Sequence, residues 1–153
     1  MTTTTLIRAD LRAWIGRSEP PVRFEITRRD IIKYALATAQ RLAKYRNGDE
    51  APPMFLFGAE RPLVALDELG QDGLRRDPLM PPLPLTRVMA GGVKQRYFRP
   101  LKPGDVVFIT RTLRDIYQKQ GASGPLIFVD YDIEITGAGG ELLQSETQTR
   151  INR

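Results

Sequence analysis

From Ile127 to Ile135 the odd positions Ile127, Val129, Tyr131, Ile133 and Ile135 are apolar or aromatic, while Asp130, Asp132 and Glu134 stand between them. Residues two apart share a face of a β-strand, so Leu126–Thr136 predicts a strand with one buried face and one wet face. The glycines of 137–140 supply a hairpin loop. Leu142–Asn152 then returns as a further strand, with Leu143, Ser145, Thr147, Thr149 and Ile151 on one side. Val88–Phe98, interrupted by Gly91-Gly92, and the β-branched run Asp105–Leu113 predict two more strands. An antiparallel sheet wet on one side must cover the other, and the preceding residues supply helices to do so. Leu6, Ile7, Leu11, Trp14 and Ile15 fall at helical spacing and stop at Gly16, which predicts a short amphipathic helix. Val22–Ile26 alternates as a strand. Thr27 with Asp30 three residues on resembles a capping box, and Ile31, Ile32, Ala35, Ala39, Leu42 and Ala43 then share one face. That pattern predicts a central helix running to about Tyr45. The whole, 1–153, reads as a single α+β domain in which an antiparallel sheet packs on a helix.

Between Asn47 and Leu85 this regularity fails. Pro52, Pro53, Pro62, Pro78, Pro81, Pro82 and Pro84 each remove a backbone donor and block ladders or helix interiors. Met54–Phe57 is a candidate buried piece and Leu63–Leu69 a candidate helical turn or two. So long an irregular stretch within one domain reads either as a functional flap or as a plain surface excursion.

Composition removes several kinds of chemistry. The chain has no cysteine, hence no disulfide, thiolate zinc site or cysteine nucleophile, which fits a reducing cytoplasm. It has no histidine, the side chain best suited to proton transfer near neutral pH. Residues 1–5 carry no basic region leading into an apolar stretch, and no apolar run reaches membrane-spanning length, so neither secretion by that route nor insertion is expected. Lys and Arg (23) exceed Asp and Glu (18), a surface that attracts phosphate-bearing partners. The excess is spread along the chain without a recognition motif, which argues against nucleic acid. Asp130, Asp132 and Glu134 form a row on a strand rather than a cage, so no metal site is expected.

The most specific stretch is Tyr97-Phe98-Arg99-Pro100-Leu101-Lys102-Pro103-Gly104-Asp105-Val106, in which two prolines and Gly104-Asp105 set a turn directly before an aliphatic strand. It resembles the R-P-L-x-x-G-D turn of the MaoC-like hot-dog dehydratases. Leu113, Asp115, Ile116, Tyr117, Lys119, Gly121, Ser123, Gly124, Pro125 and Leu126 are similar to that family's strand, G-x-x-G-P turn and long strand, and Gly140-Glu141-Leu142 to its penultimate turn. Ile15-Gly16, Pro21, Phe24-Glu25-Ile26 and the helix after Thr27 resemble the N-terminal half of two-part members, the half related to the dehydratase region of fungal-type fatty acid synthases.

The resemblance implies a hot-dog fold and addition or removal of water at a double bond beside an acyl-CoA or acyl-carrier thioester, with the CoA thioester as substrate and no other cofactor. It also implies a catalytic Asp and His spaced five apart, and this chain cannot supply the His. The connection Asn47-Gly48-Asp49-Glu50-Ala51 is shortened as well. Both departures point to an accessory, substrate-binding subunit that takes Asp and His from a catalytic hot-dog partner. A stand-alone acyl-CoA-binding homodimer remains open, as does a homodimeric hydratase using carboxylates, for which Asp49 is the weak candidate. Expected thioester contacts are Gly91 and Gly92, by close backbone approach or else as a simple β-bulge, and Arg96, Arg99 and Lys102 with Lys94, toward CoA phosphates or else as a dispersed solvated face. Trp14 and Tyr34 read as packing residues.

Overall fold

A computed structural model describes residues 5–59 and 61–153 of the protein. Its elements are α1 (Ala9–Arg12), β1 (Val22–Glu25), α2 (Arg28–Ala37), α3 (Ala43–Arg46), a 3-10 turn (Leu66–Glu68), β2 (Val88–Tyr97), β3 (Val106–Gly121), β4 (Gly124–Gly137) and β5 (Leu142–Asn152). The strands form one antiparallel sheet in the order β1-β3-β4-β5-β2. The alternation seen in the sequence places Ile127, Val129, Tyr131, Ile133 and Ile135 in the core, while Glu134 is exposed and Asp130 and Asp132 half-buried. β3 continues to Gly121, well past the expected end at Leu113. A bulge between Leu113 and Asp115 shifts its parity, so that Leu113 and Ile116 are both fully buried. A strict period of two therefore breaks in the sequence while the strand goes on.

Two apolar clusters fill the inner face. One gathers Ile31 of α2 with Ile26, Leu56, Leu101, Val107, Ile109, Ile133 and Ile135. The other packs Ile7, Leu11 and Leu79 on Leu113, Ile116, Val129 and Tyr131, with Trp14 and Met80 at its margin. Each side chain of this size contributes about 1.5–3 kcal/mol when fully buried. Tyr34 packs edge to face on Phe55, with ring centroids 5.6 Å apart.

The helices are shorter than their apolar stripes suggest. α1 is regular only over Ala9–Arg12, and single turns carry the chain to Gly16, whose N–H donates to Leu113 O at 2.8 Å. α2 starts as expected, with Thr27 Oγ1 accepting from the Asp30 N–H at 3.1 Å, although Asp30 returns the contact through the Thr27 hydroxyl (2.7 Å) rather than the backbone. It ends at Ala37, not near Tyr45. Ala39 is left-handed (φ 53°), Gln40 N–H donates to Ala35 O at 2.8 Å and Ala39 N–H to Leu36 O at 3.2 Å. These two bonds close a Schellman cap, with alanine in the place where glycine usually sits. Leu42 accordingly leaves the helical face and is 56% exposed.

The proline-rich segment yields only the 3-10 turn Leu66–Glu68 where a longer helical piece was expected. Leu56 is buried, but Met54 and Phe57 are exposed, so the expected buried piece reduces mainly to Leu56 and the half-buried Phe55. No helix among the described residues is long and apolar enough to cross a membrane.

Candidate functional site

A cavity of about 360 Å³ opens where β2 ends and the Arg99–Asp105 turn begins. Tyr45, Glu50, Tyr97, Arg99, Leu101 and Gln144 are among its walls. Two of the polar walls, Glu50 and Tyr97, are held in place by the fold. Glu50 accepts from Lys44 Nζ at 2.8 Å. The Tyr97 hydroxyl donates to Gln95 Oε1 and accepts from Met54 N–H at 3.1 Å, and the Gln95 amide donates in turn to buried Glu146, which also accepts from Gln148. This relay runs under β2 on the inner face and ties the edge strand to the turn at Met54. The cavity can orient an amphipathic ligand through a few polar groups. Among its described walls, Glu50, Tyr97 and Arg99 are each engaged with a structural partner.

The expected contacts divide between the two ends of β2. Gly91 and Gly92 form a bulge opposite Thr149. A Cβ on Gly91 would lie 2.8 Å from Thr149 Cγ2 and 2.9 Å from Ile151 Cγ1, so packing alone requires glycine there. Gly92 faces open space but has φ +151°, a conformation that side chains disfavour. Arg96 and Lys102 are exposed at the other end, near the cavity, and Lys94 is exposed along the same strand. The two groups are about 13 Å apart along β2 from Gly92 to Arg96, at about 3.3 Å per residue. Only Arg99 of the expected residues lines the cavity, and its charge is already used: it donates to Asp105 Oδ2 at 2.8 Å and lies 3.9 Å from Glu141. Asp105 also accepts from Lys102 N–H at 2.8 Å. Burial raises the Asp105 carboxyl, and these bonds outweigh it and hold the group below the ordinary carboxylate range. The Arg and Asp of the turn motif thus lock the turn.

Asp49, the weak catalytic candidate, is exposed and paired with Arg28 Nη1 at 2.5 Å. Arg28 also donates to Asn47 O, so the pair fastens the loop to the start of α2. Asp130 and Asp132 accept from Thr149 and Thr147 across the outer face, at 2.6 and 2.9 Å.

Tyr45, Tyr97 and Gln144 escaped sequence reasoning as site residues because three different segments bring them together. A second unforeseen cluster did leave a signal. Arg111 occupies an inward position of β3 between Ile109 and Leu113, and there it is 5% exposed. It donates to both carboxylate oxygens of Asp77, at 2.8 and 2.6 Å, and to Glu19 at 3.0 Å, and stacks 3.9 Å over the Tyr131 ring. A charged residue at the inward parity of an alternating strand is the mark that could have flagged it.

A family model for the FAS1-like dehydratase domain region matches residues 13–145. The chain belongs to this family. Mesaconyl-C(4)-CoA hydratase of Chloroflexus aurantiacus is 33% identical over 132 residues, covering 83% of this chain and 45% of that protein. The chain thus spans less than half of that relative. A UPF0336 protein of Thermobifida fusca is 31% identical over 147 residues, covering 89% of this chain and 90% of its own length. Among solved structures, the ChsH1-ChsH2 complex of Mycobacterium tuberculosis superposes with a TM-score of 0.65 at 21% identity, covering 94% of this chain and 92% of the matched one. The HadBC (3R-hydroxyacyl-ACP dehydratase) complex of the same organism gives 0.62 at 14% identity, covering 89% and 96%. A MaoC-like dehydratase of Rhodospirillum rubrum gives 0.53 at 16% identity, covering 90% and 91%. The fold of this dehydratase-family member is therefore the MaoC-like hot dog, with α2 as its central helix.

Proposed function

We propose that the chain is the accessory, substrate-binding hot-dog subunit of an enoyl-CoA hydratase or 3-hydroxyacyl-thioester dehydratase, completed by a catalytic hot-dog subunit that supplies Asp and His. The observation that carries this reading is the absence of histidine from a member of a dehydratase family. Hydration needs a base and an acid poised near the working pH. In this chain Glu50, Tyr97 and Asp49 are each tied to structural partners. Two of the structural relatives are complexes of unlike chains by name.

β2 adds support. Among the described residues it pairs only with β5, and it exposes apolar side chains such as Val93 (40%) along an open edge. Such an edge calls for a partner. A catalytic hot dog lying against it would bring its Asp and His toward a groove bordered by Gly91, Gly92 and Arg96, with Arg99 and Lys102 at its end. The ligand of that groove is an acyl-CoA or acyl-carrier thioester.

The test is to co-purify the chain from its native cell, identify the bound hot-dog protein, and measure the pair by light scattering and by calorimetric titration with crotonyl-CoA. A heterodimer or a dimer of heterodimers that binds the thioester is expected. A homodimer that binds it unaided favours the stand-alone reading, and a monomer that ignores CoA esters removes both.

A further inference from the structure

Between Pro62 and Pro84, every backbone hydrogen bond among the described residues closes within the segment, as in Gly70 N–H to Leu74 O and Met80 N–H to Asp77 O. The chain rejoins the sheet only afterwards, where Leu85 O accepts from Asn152 and Arg87 and Arg153 bond reciprocally. A stretch of this length crosses the inner face of the sheet without joining any ladder. Its described polar ties to the rest of the fold lie in one place. Asp77 takes two of the three Arg111 hydrogen bonds, Arg75 lies 4.0 Å from Glu19, and the Tyr131 hydroxyl meets the Met80 sulfur at 3.8 Å. Immediately after this cluster come Leu79, Met80, Leu83 and Leu85, which pack on Leu113, Ile116, Val129 and Tyr131.

We propose that Arg111 and Asp77 form a latch that holds segment 62–84 as a strap over the Tyr131 half of the sheet, and that the strap opens as a unit while the strands stay paired. Arg111 is a positioning residue in this device. The chemistry favours one bistable joint. A buried guanidinium held by both oxygens of a carboxylate is geometrically demanding, and breaking it leaves Arg111, 5% exposed, with Glu19 as its one remaining carboxylate. The joint is therefore closed or lost, with little between. Local opening is expected where backbone bonds to the core are few. The strap ahead of the latch also gains little from closure, since Leu63, Leu66 and Leu74 are exposed there. The proposal is independent of the function argued above.

Hydrogen exchange followed by mass spectrometry on the full chain tests it. In the unaltered protein, amides of Leu79, Met80 and Leu83 should exchange at least ten-fold faster than those of Ile127–Ile135, with a weaker dependence on added denaturant. Arg111→Met should speed strap exchange at least ten-fold further, with the strap amides still exchanging at least ten-fold ahead of those of β4. Asp77→Asn, which keeps the shape and one acceptor oxygen but turns an N–H donor toward the guanidinium, should do the same to a smaller extent. Exchange of strap and β4 in step in the unaltered protein would overturn the proposal, whether or not the variants fold. So would well-folded variants whose strap exchanges at the original rate.

Discussion

The β3–β5 sheet and the segment between Asn47 and Leu85 are built from opposite means. In the sheet, backbone ladders pair β3 with β4 from Val107–Gly137 to Gly121–Gly124, and side chains fill the face the ladders present. In the segment, prolines remove donors, and from Pro62 to Pro84 the chain is fastened by side chains, through Asp77 on Arg111 and Leu79 in the apolar cluster. A fold can therefore be decided by its sheet while its surface is shaped by a segment that contributes little to holding the sheet together.

Truncating the same amount of buried leucine or isoleucine in each region should break this comparison if it is wrong. Ile133→Ala, inside the ladder and 2% exposed, should cost about 4 kcal/mol in urea unfolding. Leu79→Ala, 4% exposed, should cost about half as much, because the strap can yield without the strands. Equal losses would mean that the segment and the sheet are one cooperative unit.

Acid sharpens the contrast. Burial pushes the Asp77 carboxyl up, but the hydrogen bonds and charge of Arg111 more than offset this and hold it below the ordinary carboxylate value. The groups facing the latch are Glu19, Arg75 and Tyr131, the last pushed up by its own burial. A depressed carboxyl contributes stability that is fully present above its unfolded pKa, about 3.9, and is lost as pH falls through the folded value. Protease cleavage between Pro62 and Pro84 should thus stay slow down to about pH 4 and rise below it, while β4 remains protected. Cleavage already rising at pH 6 would assign the transition to another group.

Much of the sheet was legible because its chemistry is periodic. Leu142–Asn152 has the bounds its alternation indicates, and β1 and β2 fall within a residue of theirs. The end of α2 was hidden because Ala39, not glycine, holds the left-handed cap, and the far half of β3 because the bulge at Asp115 interrupts its parity. The family turn at Arg99–Asp105 was readable as a motif, whereas its ion pair became visible only in three dimensions. The cavity was not readable, since Tyr45, Tyr97 and Gln144 come from segments far apart in the chain.

Smaller effects follow from single positions. Ala39→Gly should stabilise the domain by about 0.5–1 kcal/mol, seen as a higher Tm, because glycine carries no penalty at φ 53°. Asp49→Ala should change stability by less than about 0.5 kcal/mol, as expected for an exposed pair.

The most direct measurement is hydration of crotonyl-CoA by the purified chain alone, followed as loss of absorbance at the conjugated thioester band. The account expects a rate no greater than background, and activity only when the catalytic hot-dog subunit is added. Robust turnover by this chain alone, abolished by Asp49→Ala, would contradict it and establish a carboxylate mechanism in its place.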